Sequence, residues 1–443
     1  MLYSTSRRRL FLAGGYALLI NSNGAQALEL TANDHTTLNF DLSGTAAWLH
    51  SQESYDQAGT LNEGSVTWQE AAVKYGFSAE HRLNRDQRIT GALRWTTTGT
   101  WGDGDAGGFS DGSERTTKLE DAFLAWHSGT LFPALGKDGL AVSAGRQSVI
   151  VGDGFLITSD SLNFGKGIAN GVMNRGGAYY LAGRSAFDKT AIISLGGEQG
   201  WRGDVMWLQS DNPAQAKPEL NVGVLEHVND KGTVGLTYVK VTDLDDEFAF
   251  LYPQRDDMET VSLRAQGNAG VENLFLAAEY AWQDQDQDDE NAWYAELGWT
   301  FAGLPWQPSI NYRFSRFSTG YDPLLYGNGR ALGTWFQGEV AANYAGPFNT
   351  NTRVHHLAAK VTPKENLSLG LLAYDFSTLD RDAGADTSAR EYDLYLEWAV
   401  NDHLALIPVI GLYQPDRAAA DGGTQLGNDD RNLYSQLIVA FSF

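Results

Sequence analysis

The sequence predicts an all-β, transmembrane antiparallel β-barrel, and three observations predict it. The final residues Ser435 to Phe443 alternate, with Leu437, Val439 and Phe441 on one face and Tyr434, Gln436, Ala440 and Ser442 on the other. A closing strand with one oily side and a terminal Phe is the ending expected of an outer-membrane barrel. At the other end, Arg7, Arg8 and Arg9 precede an uncharged stretch from Leu10 to Ile20, and Ala25-Gln26-Ala27 follows as a small-residue cleavage site. This reads as a secretory signal peptide over residues 1–27, with the mature barrel over 28–443. Between the ends, segments of about ten residues with period-two alternation are separated by turn residues, which is the barrel signature.

The strands can be marked in order. Leu38, Phe40 and Leu42 form the first stripe, followed by Val73, Tyr75, Phe77 and Ala79, and then by Ile89, Leu93 and Trp95. Later come Val261 to Ala265, Leu274 to Trp282, Trp293 to Phe301, Ile310 to Phe314 and Tyr392 to Trp398, several with the aromatic ends an interfacial girdle requires. Connections alternate between tight turns, such as Asn84 to Gln87, Asn229 to Gly232 and Asn401 to His403, and long polar loops. The longest loops are Ile150 to Lys189 and Ser318 to Arg353. Counting Ala178 to Gly183 as a strand gives 19 segments and breaks this alternation; placing it inside the preceding loop restores it and yields 18 strands with nine outer loops. A barrel of that size encloses an aqueous channel. Soluble sandwiches and propellers also alternate, but they leave the leader, the aromatic ends and the terminal Phe as separate coincidences.

Composition narrows the function. The 443 residues include no Cys, which excludes disulfides, thiolate metal sites and a cysteine nucleophile. The formal charge of -23 makes nucleic acid and anionic lipid surfaces poor partners for the protein as a whole. The expected location is the cell outer membrane, as a monomer surrounded by lipid bilayer and lipopolysaccharide and delivered by the outer-membrane assembly machinery. No cofactor is expected. His355 and His356 are adjacent on a strand and point to opposite faces, so they do not chelate one metal together. The acidic run Asp284 to Glu290 reads as a solvated outer loop, with Ca²⁺ binding as the alternative. An outer-membrane hydrolase is the competing class, but no Gly-x-Ser-x-Gly element or phosphate-cradling loop is present.

If the apolar stripes face lipid, the alternate positions face water. These include Lys74, Arg94, Arg264, Arg313 and Lys360, together with Glu80, Glu279, Glu296, Asp393 and Glu397. Such cations suit a pore for anionic or hydroxyl-rich solutes, because charge rings set selectivity. The alternative is that each arginine pairs a neighbouring carboxylate across the wall. Strand parity places Arg146 with Leu140 and Val142 on the lipid side, at a cost of a few kcal/mol, unless Gly145 makes a bulge that turns it inward.

Ala144-Gly145-Arg146-Gln147 through Gly152-Asp153-Gly154-Phe155-Leu156, with Tyr321-Asp322-Pro323-Leu324-Leu325-Tyr326-Gly327 and Trp335-Phe336-Gln337-Gly338-Glu339, resembles the motifs of alginate-export porins. Phe187-Asp188-Lys189 and Gly200-Trp201-Arg202-Gly203-Asp204 fit the same pattern. The resemblance implies an 18-stranded barrel with an arginine-rich, anion-attracting constriction covered by inserted loops. It adds Asp322, Arg330 and Glu339 to Arg94, Arg146, Arg264, Arg313 and Lys74 as candidate pore residues, with an anionic saccharide such as alginate as solute. A general or small-anion diffusion porin is the second reading, because the lumen positions carry as many acids as bases.

Overall fold

The computed structural model describes residues 28–55, 57–285, 288–327 and 337–443. The signal-peptide expectation for residues 1–27 therefore lies outside the described residues. A short segment, β1 (Leu28–Ala32), precedes eighteen long strands. In chain order these are β2 (Thr36–Ser51), β3 (Val66–Arg82), β4 (Arg88–Gly102), β5 (Arg115–His127), β6 (Leu140–Gln147), β7 (Phe187–Leu195), β8 (Gly200–Gln209), β9 (Glu219–Asn229) and β10 (Gly232–Asp243). They continue with β11 (Glu259–Gly267), β12 (Leu274–Asp284), β13 (Asp289–Thr300), β14 (Ser309–Phe317), β15 (Thr352–Lys364), β16 (Leu367–Thr378), β17 (Ala389–Asn401), β18 (Leu404–Pro415) and β19 (Asn432–Ser442).

Each of these strands pairs antiparallel with its sequence neighbours, and β19 pairs with β2 from Tyr434 opposite Ser51 to Ser442 opposite Ser43, so the sheet closes on itself. Closure gives every ladder a partner in a solvent that offers backbone groups none. β1 lies along the same edge of β2 beyond the end of β19, with Leu28 opposite Phe40. Phe443 continues the closing seam: its N–H donates to the Leu42 carbonyl at 2.7 Å, and its ring stacks on His403 at 4.8 Å. The expected eighteen-stranded barrel is the architecture observed, and Ala178 to Gly183 lies within a loop.

The outward stripes are apolar along the wall. Leu263, Tyr280, Leu297, Ile310, Leu357, Leu371, Tyr392, Leu394 and Leu437 all stand exposed, as a lipid-facing belt requires. The acidic run at Asp284 to Glu290 is shorter as a loop than its composition suggests, because β12 runs to Asp284 and β13 starts at Asp289. Charged residues there end a hairpin by continuing the ladder, with Glu259 opposite Asp284 and Asp284 opposite Asp289.

The interior departs from a uniformly polar lumen. Two apolar clusters line its outer half. One joins Val149, Phe155, Leu156, Ile157, Tyr321, Leu324 and Leu325 from loops to the inward faces of β8 to β14, including Leu208, Leu220, Val222, Val239 and Val241. The other joins Tyr180, Val340, Ala341 and Tyr344 to Leu49, Trp68, Tyr374, Phe376, Ile407, Val409, Tyr413 and Tyr434 on the opposite wall. The physical reason is that the described parts of the two longest loops fold into the barrel, so wall positions facing them are packed and dry. Each such side chain contributes about 1.5–3 kcal/mol on burial.

Candidate pore constriction

Two of the segments that stood out as motifs, Gly145 to Leu156 and Tyr321 to Gly327, meet inside the barrel. Gly145, at φ +124°, interrupts the β6–β7 register between Gly145 and Gln147. A Cβ there would lie 2.3 Å from the Ala122 carbonyl, so only glycine permits this bulge. The bulge turns Arg146 inward, where it is 7% exposed and donates to Asp188 at 2.8 Å and Asp211 at 2.9 Å. The chain then turns back on itself, with Ile150 bridging to Thr158. Gly152 has φ +62°, and a Cβ there would lie 2.9 Å from the Arg264 guanidinium, so the loop runs close against that side chain. Asp153 accepts from the Tyr294 hydroxyl at 3.1 Å, which ties the loop tip to β13.

This loop and the one following β14 are hydrogen-bonded to each other. Ile157 and Leu325 form a parallel bridge; Thr158 N–H donates to the Leu325 carbonyl at 2.6 Å, and Leu325 N–H donates to the Leu156 carbonyl at 3.1 Å. Gly327 N–H adds a bond to the Gly154 carbonyl at 2.9 Å. Two segments almost 170 residues apart thus make a two-strand strap in the lumen.

Charged pairs fasten the strap. Asp322 is 1% exposed and receives a forked pair of bonds from Arg255, Nε at 2.7 Å and Nη2 at 2.8 Å, plus Gln254 at 2.8 Å. Arg255 belongs to the loop after β10 and lies over the Tyr252 ring at 3.7 Å, so Asp322 joins two outer loops. On the other side, Arg146, Arg175 and Arg184 converge on Asp211 at 2.9, 3.1 and 3.2 Å. Burial alone would raise the Asp211 carboxyl, but the three guanidinium groups outweigh it and hold it well below the usual carboxylate range. Arg175 also pairs with buried Asp160 at 2.9 Å, and burial pushes that carboxyl up despite the pairing. Glu339 accepts from Tyr180 at 2.9 Å and from Gln436 at 3.2 Å, fixing the end of the second loop to β19. Nearby, Glu391 caps the backbone of Val340 and Ala341 at 2.7 and 2.9 Å.

The remaining candidates sit lower on the wall. Lys74 and Arg94 share Asp121 at 3.4 and 3.3 Å, and Arg94 also donates to Asp41 at 2.8 Å. Arg264 contacts Glu226, which also receives Arg202. Lys360 pairs with Glu397. Arg313 is fully buried, opposite Glu296 on β13 and His356 on β15. Arg330 lies outside the described residues. Of the candidates, Lys74 and Arg94 come together, Arg264 meets Arg146's loop at Gly152, and Asp322 and Glu339 are turned into packed contacts. Arg175, Arg184, Asp211 and Arg255 were missed because they lie in loops, where no period-two alternation marks the inward positions; Arg202 was visible only as part of Gly200 to Asp204.

Two cavities flank the strap. The outer one, about 620 Å³, is lined by Phe109, Phe164, Tyr179, Tyr252, Tyr326 and Phe348 among others. The inner one, about 520 Å³, is lined by Arg202, Asp204, Glu226, Thr233, Arg264 and Gln266. His355 points outward to the Tyr312 hydroxyl at 2.7 Å, whereas His356 is buried and stacks on Tyr374 at 4.5 Å, so the pair is split between faces. Among the described residues no group of three metal-ligating side chains is assembled.

The wall is a closed eighteen-stranded antiparallel barrel, and solved outer-membrane porins share that fold. A BenF-like porin from Pseudomonas fluorescens Pf-5 superposes with a TM-score of 0.58 at 10% identity, covering 92% of this chain and 98% of its own. Pseudomonas aeruginosa OccK7 (OpdD) matches with a TM-score of 0.55 at 12% identity, covering 92% and 98%. Acinetobacter baumannii OccAB4 matches with a TM-score of 0.54 at 11% identity, covering 95% and 100%. No protein-family model matches the chain, and no curated protein does either. The fold is that of outer-membrane porins of the Occ/Opd type. The resemblance to alginate-export porins is thereby corrected: the structures that share the architecture are Occ and Opd porins, and the short Gly-Arg-Gln, Gly-Asp-Gly and Asp-Pro-Leu motifs serve the bulge, the close approach and the strap.

Proposed function

We propose that this chain is an outer-membrane diffusion channel for small polar solutes, small anions included, and that it carries no catalytic activity. The observation that carries this reading is the internal strap, which divides the lumen into chambers of about 620 and 520 Å³. Chambers of this order suit a small molecule. A wide path for a polymer would need the two loops elsewhere. The wall below the strap supports a channel that does not exclude anions. Arg94, Lys74, Arg202 and Arg264 offset Asp41, Asp121, Asp204 and Glu226, so the acidic net charge of the whole protein is not carried into the path. Local charge governs a narrow passage, because the low-dielectric wall focuses field lines.

Reversal potentials in planar bilayers under a KCl gradient, paired with swelling of proteoliposomes in small sugars and monocarboxylates, test this. The expected result is weak ion selectivity and entry of both solute types with a sharp size limit. Strict cation selectivity with exclusion of monocarboxylates would contradict it. Hydrolysis of ester or lipid substrates by the purified barrel would favour an enzyme instead.

A further inference from the structure

The wall's outward face carries a second charged feature, unrelated to the lumen. At the outer end of β14 to β17, the lipid-facing stripe gives way to Arg316, Arg353 and Arg390. They lie two to four residues beyond Tyr312, Leu357 and Tyr392, all exposed members of the apolar belt, which is roughly 7–13 Å along a strand. Phe314 stands between Tyr312 and Arg316 on β14, and Trp293, whose ring is 5.1 Å from it, lies directly across from Arg316 on β13, as interfacial aromatics do.

Two observations suggest that this band is built for a ligand. First, Arg316 and Arg353 are direct cross-strand partners. Like charges in that position repel, and among the described residues no carboxylate lies within ion-pair distance of either. Among the described residues, Arg316 donates to the amide oxygen of Asn291, at 3.3 Å. Second, a polar cleft of about 260 Å³ opens beside them, lined by Arg353, Arg381, Arg390, Asp375, Ser377, Ser388 and Asp416. Its carboxylate on the strand face, Asp375, is already engaged by Arg390 at 3.3 Å. Arg381 is held by Asp386 at 2.9 Å, and Arg417 reaches the same carboxylate at 3.2 Å, so loops 379–388 and 416–431 are fixed around the cleft.

We propose that Arg316, Arg353 and Arg390 bind a phosphate group of a phosphorylated glycolipid in the outer leaflet. An anion between Arg316 and Arg353 relieves their repulsion and uses the guanidinium fork in its strongest mode. The girdle just below sets the arginines at headgroup depth, where a lipid-borne phosphate is presented, and a protein of net charge -23 otherwise repels anionic headgroups. The glycolipid is thus a fixed neighbour of the β14–β17 wall.

Native mass spectrometry of the full-length barrel in detergent tests this. It uses a diphosphorylated glucosamine-disaccharide glycolipid, the same lipid with both phosphates removed, and inorganic phosphate as competitor. The expected result is retention of the phosphorylated lipid, no retention of the dephosphorylated one, and a roughly tenfold or greater loss in the Arg316→Gln/Arg353→Gln double variant, as for charge-assisted bonds removed. Arg390→Gln should give a smaller loss. Unchanged single-channel conductance and heat-modifiable migration show that the variant barrels are folded. Equal binding by wild type and the double variant, or equal binding of the two lipids, overturns the proposal. Displacement by inorganic phosphate at equal concentration overturns the lipid assignment, leaving a free-phosphate site.

Discussion

The outer and inner halves of the lumen are built on opposite principles. In the outer half, wall residues such as Leu220, Val239, Trp68 and Tyr374 are apolar and covered by inserted loops, and fully buried charge pairs such as Arg255 and Asp322 hold those loops. In the inner half, Arg94, Lys74 and Arg202 remain partly open to water while touching their acids. The first arrangement holds a shape; the second sets a field. Substitutions above the strap should therefore change stability and conductance together, and substitutions below it should change ion selectivity while leaving stability almost alone.

The largest effect is expected for Asp322→Ala. It strands Arg255, 1% exposed, without its forked partner, and removing one member of a buried pair costs about 3–5 kcal/mol. Thermal unfolding should report that loss. Phe155→Ala should follow at about 3–5 kcal/mol at most, because it empties a contact shared by Tyr294 and Phe317 at the loop tip. Equal stability in either variant would mean that the loops rest in the barrel without being held by it.

Acidification gives an intermediate effect of known sign. Asp211 is held below its unfolded pKa, so its contribution to anchoring the first loop is fully present above about pH 4 and is lost as pH falls further, through its folded value. Asp105 in loop 103–114 runs the other way. Burial pushes it up to about 6 against bonds from Ser110, Phe109 and Gly107, so its effect on stability falls as pH rises from about 4 to 6. Hydrogen exchange should show loop 103–114 better protected at pH 5 than at pH 7, and loop 148–186 losing protection only below pH 4. The smallest structural effect belongs to Arg94→Gln in the inner half: stability within about 1 kcal/mol of wild type, since its pair with Asp41 is partly open to water and such pairs contribute little, and a reversal potential shifted toward cations.

Much of this contrast was legible in the sequence, but unevenly. The barrel wall announces itself because every strand must show lipid an apolar stripe, and Leu263, Tyr280 and Leu394 do so plainly. Gly145 was readable as a bulge because Arg146 would otherwise face lipid. The packed outer lumen was not readable: Leu220 and Val222 on β9 sit beside outward Leu225, so apolar residues on both faces blur the parity. Nor does a loop residue such as Arg255 or Asp211 carry any periodic sign of where it points. Its partner lies 67 residues away in one case, and in the other its three partners come from a strand and from a loop that folds back.

Single-channel conductance of Asp322→Ala beside wild type, under conditions where both migrate as folded barrels, tests the central claim most directly. If the strapped loops set the passage, releasing Asp322 from Arg255 should raise the conductance and relax the solute size limit in the same preparation. A folded variant with wild-type conductance would contradict the account, and the narrowest part of the path would then lie in the inner half, at the Arg264 and Glu226 wall.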